Sequence, residues 1–143
     1  MQKLFVAISF IFLSATCFAN ENSLIGCWAD KSITQYAPDG SQRIDTSNAC
    51  SLKFSGSTIT SRCAAQQGES VTEYSYQLDT LGVYVATITN HNLRPDLIGN
   101  TRKYVYEVTS TTLTITTNPQ TSKPAPSNTL ARVVSESHRT VCE

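Results

Sequence analysis

The segment from Cys50 to Cys63, Cys-Ser-Leu-Lys-Phe-Ser-Gly-Ser-Thr-Ile-Thr-Ser-Arg-Cys, constrains the fold of this chain more than any other. A two-residue turn at Gly56-Ser57 sets Ser55 opposite Thr58 and Cys50 opposite Cys63. Glycine at the first central position is what a type II′ hairpin turn requires. Hydrogen-bonded and non-hydrogen-bonded pairs alternate outward from Ser55/Thr58. Cys50/Cys63 is therefore a non-hydrogen-bonded pair, with Cα atoms about 4.5 Å apart. That separation falls within the roughly 4.4–6.8 Å that a disulfide spans. One segment thus predicts a hairpin, its register and a covalent bond. The same register places Cys50, Leu52, Phe54, Ile59, Ser61 and Cys63 on one face, and Ser51, Lys53, Ser55, Thr58, Thr60 and Arg62 on the other. Apolar-in, polar-out alternation marks an antiparallel sheet with one wet face. A redox role would call for a close Cys-x-x-Cys pair, which the chain lacks; the bond reads as a staple.

Residues 1–19 have the layout of a secretory signal: Lys3, an apolar run from Leu4 to Leu13, then small residues up to Ala19. The run is too short to span a bilayer. Ser14-Ala15-Thr16 before Cys17 is a poor match to a lipoprotein site, so Cys17 is read as part of the leader. The expected organisation is a signal peptide over 1–19 and a single domain over 20–143, exported to the periplasm or secreted. The whole chain carries 11 basic and 11 acidic side chains. Losing Lys3 tips it by one negative charge, so no basic excess points to nucleic acid. Four cysteines remain, and an even number in an exported chain reads as two disulfides. With Cys50 joined to Cys63, Cys27 is left to Cys142.

Beyond the leader, Thr, Ser, Val, Ile and Tyr dominate and no long 3.6-residue period appears. Strands are expected over Leu24–Ala29, Gln42–Thr46, the 50–63 hairpin, Val71–Asp79, Val83–Thr89, Thr101–Thr109, Thr112–Thr117, Leu130–Ser135 and His138–Cys142. Pro38-Asp39-Gly40 and Thr80-Leu81-Gly82 read as turns. Residues 66–69, 90–100 and 118–128 read as loops. The fold class is all-β: an antiparallel up-and-down barrel of about eight to ten strands with two disulfides. A meander of this kind removes its exposed edges by closing on itself. A bond from Cys27 to Cys142 ties the first strand to the last.

Leu24-Ile-Gly26-Cys27-Trp28 resembles the Gly-x-Trp opening of lipocalin-like (calycin) barrels. Tyr36-Ala-Pro-Asp-Gly-Ser41 is similar to the aromatic-x-x-Asp-Gly turn of short bacterial lipocalin-like domains. So is the pattern Tyr104-Val-Tyr-Glu-Val, Leu113-Thr-Ile and Leu130-Ala-Arg132. The resemblance implies that Trp28 plugs one end of the barrel and that an arginine of the last strands covers it. Arg132 is the candidate and Arg139 the alternate.

Catalytic signatures are missing from the sequence. His91 and His138 have no neighbour at metal-ligand spacing, and no phosphate loop or nucleophile elbow occurs. The acids, Asp30 among them, fall in turns or on outward faces of the expected strands, which leaves paired-carboxylate catalysis unsupported. No catalytic residue, metal ligand or cofactor is assigned. Phe54, Tyr74, Tyr76, Tyr84, Tyr104 and Tyr106 fall on inward faces, where they either fill the barrel or line a pocket. The expected function is non-enzymatic binding of a small apolar or amphipathic ligand by a monomer with no membrane span. The alternative is an inhibitor or immunity-type protein that grips a protein partner with the loops 90–100 and 118–128.

Overall fold

A computed structural model describes residues 23–117 and 132–143. The expected leader and the 118–128 loop lie outside those residues. Nine strands follow in chain order: β1 (Gly26–Tyr36), β2 (Gln42–Asp45), β3 (Cys50–Ser55), β4 (Thr58–Ala65), β5 (Gly68–Thr80), β6 (Val83–His91), β7 (Thr101–Val108), β8 (Thr112–Thr117) and β9 (Arg132–Thr140). Each strand from β3 to β9 pairs antiparallel with the next, and β9 returns to β1. Eight strands therefore close into an all-β antiparallel barrel, and β2 is an extra strand on the far half of β1.

The β3–β4 hairpin has the register its turn dictates. Ser55 pairs with Thr58 and Cys50 with Cys63, and Gly56 takes a φ of +54°. The Cys50–Cys63 disulfide spans a Cα separation of 4.1 Å, close to the spacing expected of a non-hydrogen-bonded pair. The second disulfide, Cys27–Cys142, links β1 to the residues after β9. Inward alternation holds along β5, where Thr72, Tyr74, Tyr76 and Leu78 are buried or half-buried and the residues between them are exposed.

Three elements differ from expectation. β1 runs on to Tyr36 because its second half has partners on both edges, β9 on one and β2 on the other. Residues 68–70 join β5 and pair with β4, so the expected 66–69 loop shrinks to a tight turn. The expected break between Ser135 and His138 does not occur. β9 is continuous, because Glu136 and Ser137 pair with β8 on one side and with β1 on the other.

The most deeply buried side chains gather around Trp28. Trp28, Leu24 and Leu113 have no exposed surface, and Phe54 has 1 %. Phe54, Tyr76 and Tyr84 meet edge to face with ring centroids 5.5–6.0 Å apart, an arrangement aromatic quadrupoles favour.

Candidate functional site

Trp28 closes the packed end. Its indole N–H donates to the Leu24 carbonyl at 2.9 Å, which satisfies the one polar group a buried indole carries. The arginine over its ring is Arg139, whose Cζ stands 4.1 Å from the ring centroid. This corrects the assignment of Arg132. In the β1–β9 ladder Trp28 faces Arg139 while Tyr36 faces Arg132, and seven residues of strand separate the two arginines by about 23 Å. Arg132 lies instead over the Tyr36 ring, at 4.1 Å. The Arg139 guanidinium also donates to the carbonyls of Ser23, Ile25 and Ser110 at 2.7, 3.0 and 2.9 Å. It thereby clamps the residues just before β1 to the β7–β8 turn. The approach explains the glycine of Gly-x-Trp. A Cβ on Gly26 would stand 2.7 Å from Arg139 Nη1, and Gly26 has a φ of +130°, a conformation open to residues without a Cβ.

The other half of the barrel holds a cavity of about 200 Å³. Tyr74, Tyr84 and Tyr104 line it, together with Leu52, Ile59, Ala86 and Ile115 and the Cys50–Cys63 disulfide. Ile33, Thr117, Val133 and Ser135 are half-buried around it. The six aromatic residues singled out in the sequence therefore divide. Tyr74, Tyr84 and Tyr104 face the cavity, and Tyr84 stacks on Tyr104 at 4.9 Å. Phe54, Tyr76 and Tyr106 pack in the core beneath it. Burial raises the tyrosine hydroxyls that border the space: Tyr84 well above its ordinary range, Tyr74 upward, and Tyr104 to about 12. They stay neutral donors at any physiological pH.

Asp30 is the residue the sequence reading misplaced. It is not on an outward face: it is 5 % exposed and borders the cavity. The Ser137 hydroxyl donates to its Oδ1 at 2.7 Å. Burial raises the carboxyl above its usual range, and the Ser137 hydrogen bond opposes that rise. Asp30 keeps the inward parity of Trp28, just before a β-bulge. The β1–β9 register shifts between Asp30 and Ser32, so Lys31 is the extra residue, and Asp30 and Ile33 both reach the interior. Asn48, with its amide nitrogen turned to the strand, donates to the carbonyls of Asp30 and Lys31 at 3.0 and 3.1 Å. The expected first strand, Leu24–Ala29, ends one residue short of Asp30. The signal available was the parity of Trp28 and Asp30.

The histidines take part in no such site. His91 Nδ1 accepts from the backbone N–H groups of Leu93 and Arg94, and His138 is exposed on the outside of β9. Among the described residues no group of three or more His, Cys, Asp or Glu is placed to hold a metal ion. In the 92–100 loop, Arg94 and Asp96 form a two-bond ion pair at the surface.

The barrel closes β9 onto β1, and the solved structures it matches share that shape. A lipocalin-like protein from Bacteroides uniformis superposes with a TM-score of 0.54 at 13% identity, covering 82% of this chain and 99% of that one. The fold is lipocalin-like. A second structure, an uncharacterized protein from Bacteroides eggerthii, gives a TM-score of 0.53 at 12% identity with the same coverage of each chain. No protein-family model and no curated protein matches the sequence. This lipocalin-like barrel is therefore shared as a shape, and what it does must be argued from its own cavity.

Proposed function

We propose that this protein is a non-enzymatic binding protein that holds a small apolar or amphipathic ligand inside the barrel, in the periplasm or outside the cell. The cavity between Tyr74, Tyr84, Tyr104 and the Cys50–Cys63 disulfide carries the reading. It is concave, mostly apolar and bordered by a few polar groups, the pattern of small-molecule sites. At about 200 Å³ it is smaller than the roughly 300–1,000 Å³ typical of drug-sized ligands. An apolar cavity of about 150 Å³ is enough to bind benzene. One ring or a short chain is the right scale. Two disulfides suit an oxidising compartment, and among the described residues no helix is long and apolar enough to cross a membrane.

Native mass spectrometry of protein purified from its own host tests the proposal, with a fluorescent apolar probe as a second readout. A co-purifying small molecule is expected, as is probe binding that Ser135→Phe weakens by filling the cavity. An empty protein whose probe binding is indifferent to Ser135→Phe would remove the reading.

A further inference from the structure

The cavity that binds ligand on the reading above holds a charge without a countercharge. Among the described residues Asp30 is the ionisable carboxyl on its wall, and neither lysine nor arginine lines it. Ser137 supplies one donor to Oδ1, whereas a carboxylate has about four acceptor positions. Across the cavity stand the rings of Tyr74, Tyr84 and Tyr104. A buried carboxylate is costly unless a cation meets it, and aromatic faces attract that same cation. We infer that the cavity selects a small amphipathic amine, its ammonium group on the Asp30 carboxylate and its apolar body against Tyr74, Tyr84 and Tyr104.

The surroundings leave the cation to the ligand. Lys31, in the bulge, is exposed and lies 4.0 Å from the exposed carboxylate of Glu136. His138, beside Ser137 on β9, is exposed. Arg102 acts on Tyr74 and Tyr104, while burial and Ser137 are what act on Asp30. A neutral ligand of the same shape would leave the carboxylate unmet, and an anionic one would be repelled.

Calorimetric titration with 2-phenylethylamine, 2-phenylethanol and phenylacetate separates these cases. The amine is expected to bind at least about tenfold tighter than the alcohol, with phenylacetate weakest. On Asp30→Asn the amine should bind no tighter than the alcohol does on the same variant. Should Asp30→Asn lose the alcohol too, the wild-type protein decides. Its amine-to-alcohol affinity ratio should rise between about pH 4 and about pH 8 as Asp30 ionises, since the amine stays protonated throughout. Equal binding of amine and alcohol, or a ratio flat with pH, would overturn the inference while leaving the cavity a ligand site. If none of the three compounds and no apolar probe binds, the ligand site itself is wrong and the inference falls with it.

Discussion

The two halves of the barrel are built from the same strands and put to opposite uses. At the packed end Trp28, Leu24, Phe54 and Leu113 are fully buried, Arg139 lies over the indole, and the Cys27–Cys142 bond fastens β1 to the segment after β9. At the other end Tyr74, Tyr84 and Tyr104 line a cavity, a carboxyl is buried with one described donor, and the Cys50–Cys63 bond forms part of the wall. Close packing makes the first end a source of stability. Missing contacts and an unmatched charge make the second costly to the fold, a pattern common to functional sites.

Breaking each staple gives the largest contrast. On the chain-entropy model, Cys27→Ser with Cys142→Ser should lower the unfolding free energy by about 4.7 kcal/mol, because that bond spans 115 residues. Cys50→Ser with Cys63→Ser should lower it by about 3 kcal/mol, for a separation of 13. Urea titration measures both, and equal losses would deny the packed end its special place. Trp28→Ala should cost about 4 kcal/mol, within the range for a large buried aromatic. Tyr104→Ala, on the cavity wall and half-buried, should cost about 1–2 kcal/mol. A Tyr104→Ala loss as large as that of Trp28→Ala would mean the cavity half is packed as tightly as the other.

The arginines sharpen the comparison further. Arg139→Ala removes three hydrogen bonds to carbonyls and a ring contact and should cost about 2 kcal/mol. Arg132→Ala removes a contact at the surface and should cost about 0.5 kcal/mol. The smallest effect is the most diagnostic. Because burial raises the Asp30 carboxyl, the folded state holds that proton more tightly than the unfolded chain. Asp30 therefore destabilises the fold as pH climbs from the ordinary aspartate range through its raised value. Asp30→Asn should match the wild type in acid and equal or exceed it in thermal stability at neutral pH. A loss of stability at neutral pH would show that the carboxylate is structural support.

Much of the barrel could be read from local chemistry. The Gly56-Ser57 turn dictated a register, the register dictated a disulfide, and alternation identified Leu52, Phe54 and Ile59 as interior. Period-2 patterning likewise found the inward tyrosines, because a strand that keeps its phase reveals its faces. It could not say which tyrosines fill and which line, since that depends on how far each lies from Trp28 along the barrel. The cavity's carboxylate, Asp30, has the parity of inward-facing Trp28 but lies one residue beyond the expected first strand, which ends at Ala29. The bulge at Lys31 resets the phase of β1, so alternation counted through it puts Ile33 on the wrong face. Arg139 was outranked by Arg132 because the choice turns on the β1–β9 pairing, a contact between the two ends of the chain.

That same pairing orders events in time. β1 is made early, yet one of its edges waits for β9, the last strand. The Arg139 clamp on Ser23 and Ile25 and the bond to Cys142 wait as well. The β3–β4 hairpin, by contrast, needs only its own turn. Local hairpins form in about 1–10 μs, while chains dominated by distant pairings fold in milliseconds to seconds. Without β9 the other barrel strands would leave a bare edge on β1 and another on β8, and β9 turns that open sheet into a closed wall.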